Sequence, residues 1–253
     1  GGIIGAAGDD LQVSQCANNG TVQGAGNTGG IAGRAANTAA FNYCHNANTV
    51  TGGNREVGGI TGKMGNNASL YGCYTAASGT VTGAGTNTGG VVGLTGSASK
   101  INQSRNDGTV TGNGANGNTG GVAGTLSGGL RHAGTRAHLY NSASGTVEGK
   151  GPYTGGVVGV LTTGNKNFTT GDGDHVSLCH NAGSVTGSGT GGAKYAAGVV
   201  GQLTLGVADK TNFLFRSYNL GTVAGQNTVY AAGVTGTSGY PANCFAIDCF
   251  NYG

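Results

Sequence analysis

Apolar positions in this chain recur as isolated β-branched residues framed by Gly, Asn and Thr, and they recur at a fixed interval. The segment Gly29-Gly30-Ile31-Ala32-Gly33 belongs to a set of eight of the form (G/A)-G-(I/V)-x-G, beginning at Gly1, Gly29, Gly58, Gly89, Gly120, Gly155, Ala197 and Ala232. Their spacings are 28, 29, 31, 31, 35, 42 and 35 residues. A period of 20–50 residues marks a solenoid or a propeller.

Three strand-like segments repeat within each unit. The first carries Ile3, Ile31, Ile60, Val91, Val122, Val157, Val199 and Val234. The second runs into a Cys position, as in Val13-Ser14-Gln15-Cys16 and Phe41-Asn42-Tyr43-Cys44. The third is G-T-V-x-G, with Val22, Val50, Val81, Val110, Val147, Val185 and Val223. Each is short, β-branched and bounded by turn residues, and no stretch shows a 3.6-residue apolar period. A propeller blade needs four strands in about 40–50 residues. The pattern instead predicts an all-β parallel β-helix of about eight coils, roughly 30 residues and three short strands each. Crossover preference makes the coil right-handed. The two Val/Ile sets are expected as buried columns, and the glycines as corners with positive φ.

The chain reads as one solenoid over residues 1–253, regular over 1–124 and carrying longer connections over 125–253. Those insertions, at Thr125–His138, Val160–Val176 and Gln202–Phe213, are expected on one face. Nine of the sixteen aromatic residues lie from Tyr195 onward, which predicts a thicker core in the last coils, with a contact surface at that end as the alternative.

Composition adds a weakly charged surface. Only 8% of residues are charged and the net charge is +3, without the clustered Lys and Arg of a nucleic-acid partner. No apolar run reaches the 18 residues of a membrane span. Low charge also weakens the repulsion that keeps proteins apart, so the expected partner is another copy of the chain. The chain opens on a repeat and closes inside one, at Cys249-Phe250-Asn251-Tyr252-Gly253, without a polar cap. Head-to-tail stacking into a filament is the expectation that follows.

The alternation of G-G-(I/V)-x-G with (C/S)-x-N-x-G-T-V-x-G, clear at Gly89–Gly93 and Ser104–Gly112, resembles the GLUG repeats of bacterial surface proteins. Those repeats occur in large adhesins and in the non-catalytic part of immunoglobulin A-specific metalloproteases. The likeness covers nearly the whole chain and departs at Leu139–Gly149 and in the insertions. It implies an extracellular or cell-surface structural role, with host or matrix glycans as further partners. The chain has no H-E-x-x-H, so the protease chemistry does not carry over.

Candidate chemistry is sparse. Cys16, Cys44, Cys73, Cys179 and Cys249 share one repeat position with Ser104 and Ser217, which suggests a small buried slot. Stacked Cα atoms about 4.8 Å apart also suit a disulfide between two of Cys16, Cys44 and Cys73, and Cys244 with Cys249 is a further pairing. His45 and His180 lie too far apart to share a metal and are expected to be exposed. Gly171-Asp172-Gly173-Asp174 supplies too few oxygens for calcium. Stacked Asn18, Asn46, Asn106, Asn181, Asn219 and Asn251 are expected to bond along the axis. No catalytic arrangement and no cofactor site emerge. One surface has a binding reading: Thr49 and Thr51, Thr80 and Thr82, and Thr109 and Thr111 form outward pairs around an inward Val. This flat array is similar to the ice-binding faces of solenoid antifreeze proteins and also suits a glycan.

Overall fold

A computed structural model of the protein describes residues 1–127, 138–163, 175–205, 212–227, 229–239 and 244–253. Among them there is no helix, and every strand pairing is parallel. The chain is a β-solenoid. Seven complete turns are followed by a partial eighth, since the first strand recurs eight times and the fifth seven times.

Six of the coils show five strands among the described residues, rather than the three expected. In the second coil they are Ala32–Ala35, Ala40–Asn42, His45–Asn46, Thr49–Gly52 and Val57–Gly58. The expected second segment breaks because the residue before Cys adopts a left-handed conformation. Gln15 has φ 54°, Tyr43 55°, Leu178 55° and Arg216 44°. The strand therefore stops at Ser14 or Asn42, and a two-residue strand restarts beyond the Cys. Residues with side chains, not glycines, hold most of these corners. The glycines serve close approach instead: a Cβ on Gly90 would overlap the carbonyl oxygen of Gly121 in the next coil and would press on Asn106 Oδ1.

Both predicted columns exist. Backbone hydrogen bonds link Ile3, Ile31, Ile60, Val91, Val122, Val157, Val199 and Val234 in order. The second column pairs Val22, Val50, Val81, Val110, Val147, Val185 and Val223 rung by rung. Residues inside each column are fully buried, including Ile31, Val91, Val81 and Val147. The expectation fails at three of the four column ends, where a rung has a neighbour on one side only; Val22, the fourth, is buried. Ile3 is 51% exposed, and Val223 and Val234 are half-buried.

The core is two apolar clusters. The larger holds the Ile31 column with Phe41, Met64, Leu70, Ile101, Leu161 and Leu214, among others. The smaller holds Val22, Val50, Val57 and Val81. Aromatic residues do not thicken the last coils: Tyr230, Phe245, Phe250 and Tyr252 are exposed. The three insertions all leave from the end of the first strand, which lengthens to Ser127, Thr163 and Leu205 in successive coils. Leu126, Leu161 and Leu203 stay in register there. Residues 128–137, 164–174 and 206–211 of these insertions, with Gly171-Asp172-Gly173-Asp174 and His132 among them, lie outside the described residues.

Candidate functional site

Side chains that alternate outward from these strands form columns, and the register of the coils builds each one. The fourth strands carry the threonines. Thr49, Thr80 and Thr109 pair in one column, and Thr51, Thr82 and Thr111 in the next, with buried Val50, Val81 and Val110 between them. Rungs stand about 4.8 Å apart and the two columns about 6.7 Å apart, from strand geometry. The array is larger than the three rungs legible in the sequence. Thr21 before it and Thr146, Ser184 and Thr222 after it extend the first column, so seven successive rungs carry a hydroxyl. Gln23, Glu148 and Ala224 interrupt only the second.

The third strands carry a column of flat side chains that sequence reasoning did not find. His45, Tyr74, Arg105, Tyr140, His180, Tyr218 and Phe250 occupy one outward register. His45 stacks on Tyr74 at 5.0 Å and 9° between planes, and Arg105 Cζ lies 4.1 Å from the Tyr74 ring centroid. Tyr140 stacks on His180 at 4.9 Å, and His180 on Tyr218 at 5.0 Å. The signal was present as the residue between Cys/Ser and Asn, but only stacking reveals that its planarity matters. Both histidines were expected to be exposed and are half-buried in this stack. Burial, with the charge of His138 second, lowers the His180 pKa and favours the neutral ring.

Inside the same strands runs the asparagine ladder. Asn106 donates to Asn141 Oδ1 at 2.8 Å, Asn141 to Asn181 at 2.8 Å, Asn181 to Asn219 at 2.7 Å, and Asn219 to Asn251 at 2.8 Å. Each amide also donates to a backbone carbonyl of its own coil, such as Gly145 from Asn141. Asn18 donates to Asn46 below a break at Thr75, whose hydroxyl instead donates to Gly90 O. Asn141 was missed in the sequence because its coil lacks the preceding Cys.

The Cys position is one column as expected: Cys16, Cys44, Cys73, Ser104, Leu139, Cys179, Ser217 and Cys249 follow by backbone bonding. It is more than a small slot. Cys16 Sγ donates to Ser14 O, Cys44 to Asn42 O, Cys179 to Ser177 O and Cys249 to Ile247 O, at 3.4–3.5 Å. Ser104 and Ser217 make the same bond to Asn102 and Phe215, at 3.0 and 2.9 Å. The left-handed corner turns the carbonyl two residues back toward this side chain, so a short donor suits the slot at every rung but the one Leu139 fills. None of the six cysteines is in a disulfide, so neither pairing considered from the sequence is formed. Burial pushes Cys179 up to about 12. A hydrogen bond from Cys73 holds Cys44 down to about 7, against the opposing effect of burial. That same bond, with burial second, pushes Cys73 up.

Among the described residues no three His, Cys, Asp or Glu side chains converge as metal ligands, and no helix is long and apolar enough to cross a membrane. Comparison of the chain with family models, with curated proteins and with solved structures returns no significant match.

Proposed function

We infer that this protein is a non-catalytic structural solenoid of an extracellular or cell-surface protein, a stalk or a subunit that stacks head to tail. The observation that supports this reading is the continuity of its columns. Apolar and flat-side-chain columns run through successive coils in one register, and the asparagine column does so from Asn106 to Asn251, so successive coils offer their neighbours much the same surface they receive. Such a body transmits position rather than assembling a reaction centre. The likeness to GLUG repeats, carried by segments such as Gly89–Gly93 and Ser104–Gly112, supports the surface location. Low charge favours association of copies. Negative-stain electron microscopy of the purified chain across a concentration series tests it. Regular fibres at high concentration support the filament form, straight monomeric rods support the stalk, and compact globular particles refute both.

A second reading has its own support. The seven-rung hydroxyl column beginning at Thr21 gives a flat polar face suited to ice or to a glycan. Replacing Thr80 and Thr82 with Lys interrupts both columns at mid-array. If this face binds, the double variant loses ice-growth inhibition or glycan-array binding that the parent chain displays, while its melting temperature stays close to the parent's. An inert parent chain in both assays sinks this reading.

A further inference from the structure

We propose that Cys16, Cys44 and Cys73 form an oxidisable thiol column, in which a disulfide closes between Cys16 and Cys44 and cross-links the first two coils.

The geometry supplies the argument. Cys16 O accepts from His45 N at 2.9 Å, and Cys44 O accepts from Tyr74 N at 3.1 Å, so the three cysteines sit on consecutive rungs. Parallel rungs put their Cα atoms about 4.8 Å apart, inside the disulfide range of about 4.4–6.8 Å. Each follows a left-handed corner, at Gln15, Tyr43 and Gly72, so all three Cβ atoms leave the backbone alike. The thiols also lean toward the coil below. Cys44 Sγ lies 3.8 Å from Val13 O, and Cys73 Sγ 3.4 Å from Phe41 O. Ser104 on the next rung ends the run, so this is the one place among the described residues where three thiols stack.

Exposure sets the order of events. Cys16 is partly buried, whereas Cys44 and Cys73 are fully buried, so an oxidant reaches Cys16 first. With a small disulfide as oxidant, the Cys16 thiolate attacks one of its sulfurs, forms a mixed disulfide and expels one thiolate. The Cys44 thiolate then attacks Cys16 Sγ, forms the internal S–S bond and expels the second thiolate. The two cysteine protons pass to the two departing thiolates. Two cysteine thiols are oxidised and one external disulfide is reduced, so electrons balance. The hydrogen bond that holds Cys44 down to about 7 favours the second step at neutral pH, and Cys73, pushed up, keeps its proton; burial and then the Cys44 charge raise the Cys16 thiol, so the first step sets the rate and quickens as pH rises.

The folded chain is incubated with glutathione disulfide, its thiols are titrated, and its tryptic peptides are identified by mass spectrometry. Cleavage after Arg34, Arg55 and Lys63 puts the three cysteines on separate peptides. The expected result is loss of the Cys16 and Cys44 thiols together, a Cys16–Cys44 linked peptide, and a melting temperature that falls on reduction. Cys73→Ser retains the link. Cys44→Ser stops at the glutathione adduct of Cys16. Both variants are expected to fold, because Ser104 and Ser217 already occupy this slot. Six titratable thiols after oxidation, or a link between Cys44 and Cys73 in the parent chain, would overturn the proposal.

Discussion

Asn106 Nδ2 donates to Asn141 Oδ1 at 2.8 Å across 35 residues of chain, and neither side chain is exposed. Asn141 accepts from the coil below, donates to the coil above and donates once more within its own coil, to Gly145 O. A buried amide is stable only when its donors and acceptor are used, and stacking satisfies them by repetition.

Asn141→Ala removes the middle of that run and leaves Asn106, Asn181 and Gly145 each short of a partner. Buried polar groups left unpaired cost about 1–3 kcal/mol each, so a loss of about 3 kcal/mol is expected. Asn113→Ala, at an exposed position, should stay within about 0.5 kcal/mol of the parent. Asn106→Thr should be milder than Asn106→Ala, because Thr75 already occupies this ladder position and its hydroxyl finds a different backbone carbonyl, that of Gly90, to donate to. Denaturant unfolding of the four variants checks the ranking.

The smaller apolar cluster has no room for a charge. Val81 is fully buried between Val50 and Val110. Val81→Asp places an unpaired carboxylate among valines, and a loss of about 3–5 kcal/mol is expected. An unchanged melting temperature would count against the register itself.

Glycines separate into two kinds that one substitution distinguishes. Gly90→Ala drives a Cβ into the Gly121 carbonyl, which is backbone and cannot rotate away; about 1–3 kcal/mol is expected. Gly26→Ala meets nothing within 4 Å and should change stability little. Thermal unfolding of the pair reads the difference directly.

His180 makes stability depend on pH. Its folded pKa is lowered, chiefly by burial in the stack, below the unfolded value of about 6.5. The neutral ring therefore contributes stability that is present above about pH 6.5 and is lost as pH falls through the folded value. The melting temperature should drop between about pH 8 and about pH 5. His180→Tyr, which keeps a flat ring between Tyr140 and Tyr218, should flatten that slope. A slope unaltered by the substitution would assign the effect to another group.

The repeat made much of this protein legible in advance. In a solenoid, neighbours in space are neighbours in the repeat, so spacing alone assigned Ile31 beneath Ile60 and Val50 beneath Val81. The same logic placed Thr49 beneath Thr80 and Cys16 beneath Cys44. What spacing does not encode is the backbone angle at a single residue. Gln15 and Tyr43 give no composition signal for a left-handed corner, yet that corner splits one expected strand into two and turns a carbonyl onto the Cys slot. Nor does spacing weigh planarity: Tyr74, Arg105 and Tyr140 look interchangeable with any surface residue until the coils bring them face to face. Sequence by itself determined which residues share a column. Only the tertiary structure decided what each column does, because hydrogen bonding, stacking and burial depend on angles and contacts between residues one whole coil apart.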